Sequence, residues 1–316
     1  MTVMRGCDEE LTLSGATAWE GVVLPVLTEA EAAARMRELG REVVLHRGRW
    51  WVRVVPGFYQ PVHLLARMRP DEATRPTLRC WGLRASLAPE SAASANGSIP
   101  AHVLPDPRGY DAGRLAPSQR RKLRKHLPEF DLVALDRPDI LLEQGYPIMR
   151  EAHARNRRVP LPGRRQFERW AASYFSPRRG LVLAAFRHGR LLAFNTNSAV
   201  DGVAYGDTAY ANAEGRRYAL TTGLFHAFAT VVSHSPGVET LVDGLYAREN
   251  RGLCHFKHAL GLRIAHLPAQ VWFARPAASL LRYAVPHAYY RLTGRGLALE
   301  EQPYLACWPQ HPGSAG

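Results

Sequence analysis

Gly180-Leu181-Val182-Leu183-Ala184-Ala185-Phe186 is followed by His188-Gly189, then Arg190 to Ala199, then Asp201-Gly202, then Val203 to Ala211. Three largely apolar runs, parted by two-residue turns ending in glycine, predict three antiparallel strands joined by tight hairpins. On the N-terminal side, Phe130 to Leu135 predicts a strand, and Ile140 to Arg155 and Arg164 to Phe175 predict helices. Downstream, Leu220, Leu224, Phe228 and Val231/Val232 recur at helical spacing. Thr240 to Asp243 predicts a short strand, Asn250 to Leu260 a helix, and Arg263 to Phe273 a long strand or strand pair. The order β, α, α, β, β, β, α, β, α, β makes this half an α+β domain: a mixed central sheet flanked by helices.

The first hundred residues are less regular. Glu29 to Leu39 has helical spacing, and Val43 to His46 with Arg49 to Val55 predicts a hairpin turning at Arg47-Gly48. A further strand is expected at Thr77 to Leu83. Ala88 to Pro100, rich in Ala, Ser and Pro, reads as a linker. Ser118-Gln119-Arg120-Arg121-Lys122-Leu123-Arg124-Lys125-His126 is the densest charge run, with Ser118 as a candidate N-cap and Pro128 as a stop. It is either a solvated helix face or, because no acid balances it, a surface for phosphates or nucleic acid through Arg120, Arg121, Lys122, Arg124 and Lys125. Ala277 to Arg295 reads as an amphipathic helix broken near Pro286, packed on the body or lying at a membrane interface. The tail Gln310 to Gly316 reads as disordered.

Composition bounds the function classes. The 316 residues are 46% hydrophobic and 22% charged, an ordinary globular mix, and no apolar run approaches a bilayer's thickness. The N-terminal stretch has no apolar core of a secretory signal. Four scattered cysteines show no metal or disulfide spacing, so the expected setting is reducing and cytoplasmic, without integral membrane association. No metal site, P-loop or Gly-x-Ser-x-Gly elbow is present. The net charge of +13 is carried almost wholly by arginine; Lys122, Lys125 and Lys257 are the only lysines. That bias reflects either arginine-rich coding or a basic surface for phosphate-bearing substrates.

The segment Asn250-Arg251-Gly252-Leu253-Cys254-His255-Phe256-Lys257-His258-Ala259-Leu260-Gly261-Leu262 resembles the last motif of the GNAT superfamily. There an Asn opens the final helix, an aromatic follows and a Gly-hydrophobic pair closes it. Phe256-Lys257 with Leu260-Gly261 is similar to the Fem-like peptidyltransferases and related acetyltransferase-like proteins, which often carry two GNAT-like halves. The resemblance implies a GNAT-like fold over residues 111–275, a degenerate GNAT-like or accessory domain over 1–110, and a C-terminal extension over 276–316. It also implies acyl transfer to an amine of a small-molecule or peptide-like acceptor. The donor would be acyl-CoA or a carrier-bound acyl group, or charged tRNA in the Fem-like alternative; a non-catalytic RNA- or partner-binding relic is a third reading. No permanently bound cofactor is expected.

Acyl transfer needs an activated donor, a neutral amine, a stabiliser for the tetrahedral oxyanion and protonation of the leaving group. By resemblance the donor arm lies between Val203–Ala211 and Thr240–Tyr246, and Lys257 corresponds to the Fem-type lysine implicated in aminoacyl transfer. A lysine snorkelling from a helix surface is the alternative. The frequent GNAT tyrosine acid is replaced by Phe256. The pyrophosphate signature falls on Arg216, Arg217, Ala219, Leu220 and Thr221, with both glycines lost; with Asn250 these are the donor-binding candidates. Asp207 and Asp243, carboxylates within apolar strand runs, could orient or deprotonate the amine, or pair with a structural arginine. Tyr205 and Tyr210 are candidate substrate contacts. Asn195 and Asn197 share a strand face and could hold a peptide-like substrate, or be solvated. His226 and His255 are weaker candidates for a base.

Overall fold

A computed structural model describes residues 15–155, 160–175 and 177–295. Its first described elements are β1 (Ala16–Ala18), β2 (Val26–Leu27), α1 (Glu29–Glu38), β3 (Val43–His46) and β4 (Arg49–Val55). They lead to β5 (Phe58–Pro61), β6 (Gly82–Ser86) and β7 (Gly97–Leu104). Next come α2 (Pro117–His126), β8 (Asp131–Leu135), α3 (Tyr146–Arg155), α4 (Arg164–Ala172), β9 (Leu181–Arg187), β10 (Arg190–Val200) and β11 (Val203–Ala211). The last group is α5 (Ala213–Arg217), α6 (Leu220–His234), β12 (Thr240–Leu245), α7 (Arg251–Ala259), β13 (Arg263–Phe273), α8 (Arg275–Ala284) and α9 (Pro286–Thr293).

These elements form two compact units that interleave in sequence. The first combines residues up to 26 with 106–241; the second combines 27–105 with the chain from 242 onward. The serial division read from sequence, at 110 and 275, therefore differs from the three-dimensional one: each unit is assembled from two pieces of chain.

In the first unit the strands run in the order β1-β8-β9-β10-β11, all antiparallel. Both hairpins form as expected. His188 and Gly189 have φ of 50° and 70°, and Asp201 and Gly202 have 45° and 79°, the left-handed pair whose twist suits flanking strands. Phe167, Val182, Phe186 and Phe194 fill the core on one side of this sheet, with helices α3 and α4. Helix α6 buries Leu220, Leu224, Phe228, Val231 and Val232, and packs on β9 and β10. Helix α2 begins two residues earlier than expected, with Pro117 in its first turn and Ala116 at the cap position, so Ser118 does not cap it.

In the second unit the order is β12-β7-β13-β6-β5-β4-β3, with β5 and β6 parallel. The Arg47-Gly48 hairpin forms with both residues at positive φ. Two segments of this unit depart from what their composition predicts. Ala88 to Pro100 is not a linker: Pro89–Ser94 is a 3-10 turn, and Gly97–Leu104 is a strand paired along its length with β13. Ile99, Ala101 and Val103 are buried, and Pro100, which has no N–H to give, uses its carbonyl to accept from the Tyr246 N–H at 2.9 Å. Nor do residues 77–81 form a strand; Cys80 N–H closes a turn on Thr77, and the strand starts at Gly82.

The C-terminal helix breaks where Pro286 opens α9. Among the described residues no helix is long and apolar enough to cross a membrane. Cys80 and Cys254 are free and buried; Cys7, Cys307 and the tail 310–316 lie outside the described residues.

Candidate functional site

The site residues proposed from sequence divide between the two units. In the second unit, α7 is held at both ends by backbone chemistry that explains its motif. Asn250 is the N-cap, its carboxamide oxygen accepting from Leu253 N–H at 3.1 Å. At the other end Gly261 has φ of 86°. Its N–H reaches the His258 carbonyl at 2.9 Å, while Leu262 N–H reaches that of Lys257 at 3.2 Å. This paired closure needs a left-handed residue, hence the Leu260-Gly261 signature. It pins the backbone of Lys257 itself.

From this anchored turn the Lys257 side chain reaches β12. Its Nζ donates to the backbone carbonyl of Asp243, and lies 3.4 Å from the Asp243 carboxylate. The lysine side chain is only 12% exposed. Next to Asp243, Gly244 has φ of 75°, and a Cβ there would stand 3.3 Å from Nζ. His102, on β7, is 1% exposed. Its ring meets Tyr246 edge-on at 5.7 Å, and neither ring nitrogen has a hydrogen-bond partner. Burial, with the charge of Lys257 added, pulls this imidazole down to about 3. Cys254 donates to the Ala247 carbonyl at 3.3 Å, and burial pushes its thiol up, so it is a packing residue. Phe256 is partly buried and His255 exposed.

In the first unit the notable feature is a β-bulge. Asn197 pairs with Gly206 and Thr196 with Thr208, leaving Asp207 as the extra residue of β11. The bulge turns Asp207 outward: it is exposed, correcting the expectation of a carboxylate in an apolar strand interior. Its oxygens accept from Tyr174 Oη at 3.0 Å and Ser198 Oγ at 3.1 Å. Tyr174 lies 33 positions away in sequence, and nothing in the local pattern signals it. Asn195 and Asn197 share a face as expected, but it is buried rather than solvated. Asn197 Nδ2 donates to Asn195 Oδ1 at 3.1 Å, and Asn195 Nδ2 to the Leu224 carbonyl at 3.3 Å. Asn197 Oδ1 is buried with no partner. Tyr210 is partly buried, its hydroxyl 3.4 Å from His153 Nε2, and burial raises its phenol. Tyr205 is partly buried. His226 is hydrogen-bonded to Tyr110 at 3.1 Å, and burial lowers its imidazole.

The expected donor loop is an elbow between α5 and α6. Arg216 and Arg217 are exposed, with Arg216 3.7 Å from Glu151. Ala219 sits in the left-handed region at φ 55°, a conformation that costs a residue with a Cβ and that glycine adopts freely. Leu220 is buried and Thr221 partly so. The elbow's Tyr218 packs between Phe130 and His126, at 5.1 and 5.3 Å. Helix α2 covers the following turn. Thr222 Oγ1 donates to Gln119 Oε1 at 3.0 Å, and a Cβ at Gly223 would lie 3.2 Å from Leu127. The outer face of α2 exposes Arg121, Lys122, Arg124 and Lys125, with Arg120 partly buried. Trp19, Leu123, Arg124, Leu127 and Phe130 help line a groove of about 520 Å³ beside it.

No family model matches the chain, and no curated protein matches it in sequence. Similarity appears in the fold. The C-terminal DUF2156 domain of a protein assigned as a lysylphosphatidylglycerol synthetase, from Agrobacterium fabrum, superposes with a TM-score of 0.53 at 13% identity, over 85% of this chain and 100% of that one. FemX superposes with a TM-score of 0.57 at 9% identity, over 79% of this chain and 93% of that one. The chain has a double GNAT-like fold. Within it, the Lys257–Asp243 pair belongs to the unit built from 27–105 and 242 onward, and the Asp207 bulge and the α5–α6 elbow belong to the other.

Proposed function

We propose that this double GNAT-like protein is an acyltransferase that moves an acyl group from a thioester or ester donor onto an amine. Lys257 stabilises the charge that develops on the attacked carbonyl. The observation that carries this reading is the pinned lysine: a scarce ammonium, 12% exposed, fixed by a helix C-cap at its backbone and by Asp243 at its tip. As the amine nitrogen bonds to the carbonyl carbon, negative charge gathers on the oxygen. A cation held in place beforehand, in a site with little water, stabilises that charge far more than one in bulk solvent. The C–S or C–O bond then breaks, and the proton that the amine nitrogen gives up goes to the departing sulfur or oxygen. Asp243 orients the ammonium and offsets its burial.

A specific observation favours an aminoacyl-tRNA over acyl-CoA as donor. In the α5–α6 elbow, Ala219 and Leu220 place Cβ atoms where a pyrophosphate would need close backbone approach, and α2 covers the next turn through Gln119 and Leu127. That same helix presents four exposed cations suited to a phosphate backbone. One fold relative is named for a lysyl conjugate of phosphatidylglycerol, a product that aminoacyl transfer would form.

Calorimetric titration of the purified chain with acetyl-CoA and longer acyl-CoAs, beside filter binding of total charged tRNA at near-physiological salt, separates the donors. Tight tRNA binding without CoA binding supports the aminoacyl reading; saturable CoA binding with weak, salt-sensitive RNA binding supports acyl-CoA. Loss of transfer in Lys257→Ala tests the shared mechanism. RNA binding without turnover of any donor, unchanged by Lys257→Ala, would mark a non-catalytic binding protein.

A further inference from the structure

Helix α8 has two apolar sides and uses one of them. Ala277, Ala278 and Leu281 are partly buried, and the helix packs against α9. Helix α9 is itself tied down: Arg84 Nη1 donates to the Arg291 carbonyl at 2.9 Å, and the Arg248 guanidinium lies 4.0 Å over the Tyr290 ring. The second side of α8 is open. Leu280 is 69% exposed, Tyr283 80% and Val285, just past its end, 44%. Pro276, Leu280 and Tyr283 follow at i, i+4 and i+7, so they form a stripe rather than scattered positions.

The charge on α8 itself is Arg275 and Arg282; of the other cations nearby in sequence, Lys257 is paired with Asp243 and Arg291 with Glu249. Between Asn250 and Arg295 the chain has seven Arg or Lys residues and no Asp or Glu. Arg275 and Arg282, both exposed, run together along one side of the stripe. A helix with an open leucine–tyrosine edge bordered by arginines suits a surface with anionic groups outside and hydrocarbon beneath. Leucine and valine enter the acyl boundary, tyrosine sits at headgroup level, and the guanidinium groups pair with lipid phosphates. A nucleic acid offers the phosphates but no apolar layer for Leu280 and Val285.

We infer that α8 is a membrane-surface docking helix, which lays its Leu280–Tyr283 edge into the headgroup region of an anionic bilayer. This site is separate from Lys257 and does not depend on the proposed transfer reaction.

Co-sedimentation of the full chain with vesicles tests it, comparing phosphatidylcholine alone with a mixture containing phosphatidylglycerol, at near-physiological salt. The wild type is expected to bind the mixed vesicles at least about tenfold more strongly than the neutral ones. The double variant Leu280→Glu/Tyr283→Ser, at exposed positions, should keep the wild-type thermal melt and bind about tenfold less. Arg275→Gln/Arg282→Gln should still insert its apolar edge while giving up most of the preference for anionic lipid. Absence of vesicle binding, or equal binding by wild type and the Leu280/Tyr283 variant, would overturn the inference. So would a concentration-dependent dimer in sedimentation velocity that this variant abolishes, since a second copy would then cover the face. Binding of tRNA that falls with the α8 substitutions while vesicle binding stays unchanged would reassign the face to nucleic acid.

Discussion

Lys257 Nζ donates to the main-chain carbonyl of Asp243 and lies 3.4 Å from the carboxylate of the same residue. One strand residue thus touches the ammonium with both its backbone and its side chain, fixing position as well as charge. Lys257→Ala is expected to lower turnover about a hundredfold or more while changing donor affinity only slightly, because the interaction strengthens as charge develops. Single-turnover rates beside equilibrium donor binding check this. Equal losses in both would make the lysine a binding residue, and an unchanged rate would remove it from the chemistry.

Gly244 is the residue through which this geometry is most easily disturbed. At φ 75°, with Nζ 3.3 Å from an added Cβ, Gly244→Ala strains the backbone and pushes on the ammonium. A loss of about 1 kcal/mol in urea unfolding is expected, with a fall in turnover. A neighbouring substitution of matched stability cost, Asn250→Ala, removes the α7 cap instead and should cost a similar amount, about 1 kcal/mol. Since Asn250 is committed to Leu253, Asn250→Asp should restore the stability.

His102 gives stability a pH dependence. It is held down to about 3 in the folded chain, whereas an unfolded histidine takes up its proton near 6.5. Between those values the unfolded state binds more protons, so stability rises with pH and falls as pH drops below about 6.5. The slope is at most about 1.4 kcal/mol per pH unit. Urea unfolding at pH 7.5 and 5.5 should show a smaller difference in His102→Leu than in the wild type. His226 and His266, also lowered by burial, remain in both proteins and cancel in the comparison.

The outer face of α2 has its own test. Replacing Arg121, Lys122, Arg124 and Lys125 with Gln should weaken tRNA binding and flatten the dependence of affinity on salt, by roughly one unit of slope for each phosphate no longer neutralised. The melting temperature should hold, because these side chains are exposed. Filter binding across a salt series would show unchanged affinity and slope if the helix is only solvated.

Much of the architecture was legible along the chain because it rests on local rules. The glycine turns at His188-Gly189 and Asp201-Gly202, the apolar runs of β9 to β11, the apolar spacing of α6 and the Asn250 to Gly261 helix all depend on residues close in sequence. The reason that Asn250 and Gly261 bound that helix is likewise local: one caps its N–H groups and the other supplies the left-handed turn. β7 was hidden because its Ala, Ser and Pro residues carry loop-like composition, and only the pairing with β13, far along the chain, makes it a strand.

The order of elements, the hairpins, the basic charge and the candidate lysine are written in the chain, since propensity, periodicity and composition act over a few residues. Long-range packing sets the interleaving of the two units, the bulge that carries Asp207 out toward Tyr174 and Ser198, and the burial of Asn195 and Asn197. It alone brought His102 beside Tyr246 and set Gln119 on Thr222. These relationships join residues from distant parts of the chain, and no local rule encodes which strand will be the neighbour; that choice is made by burying the most apolar surface while every paired backbone finds a partner.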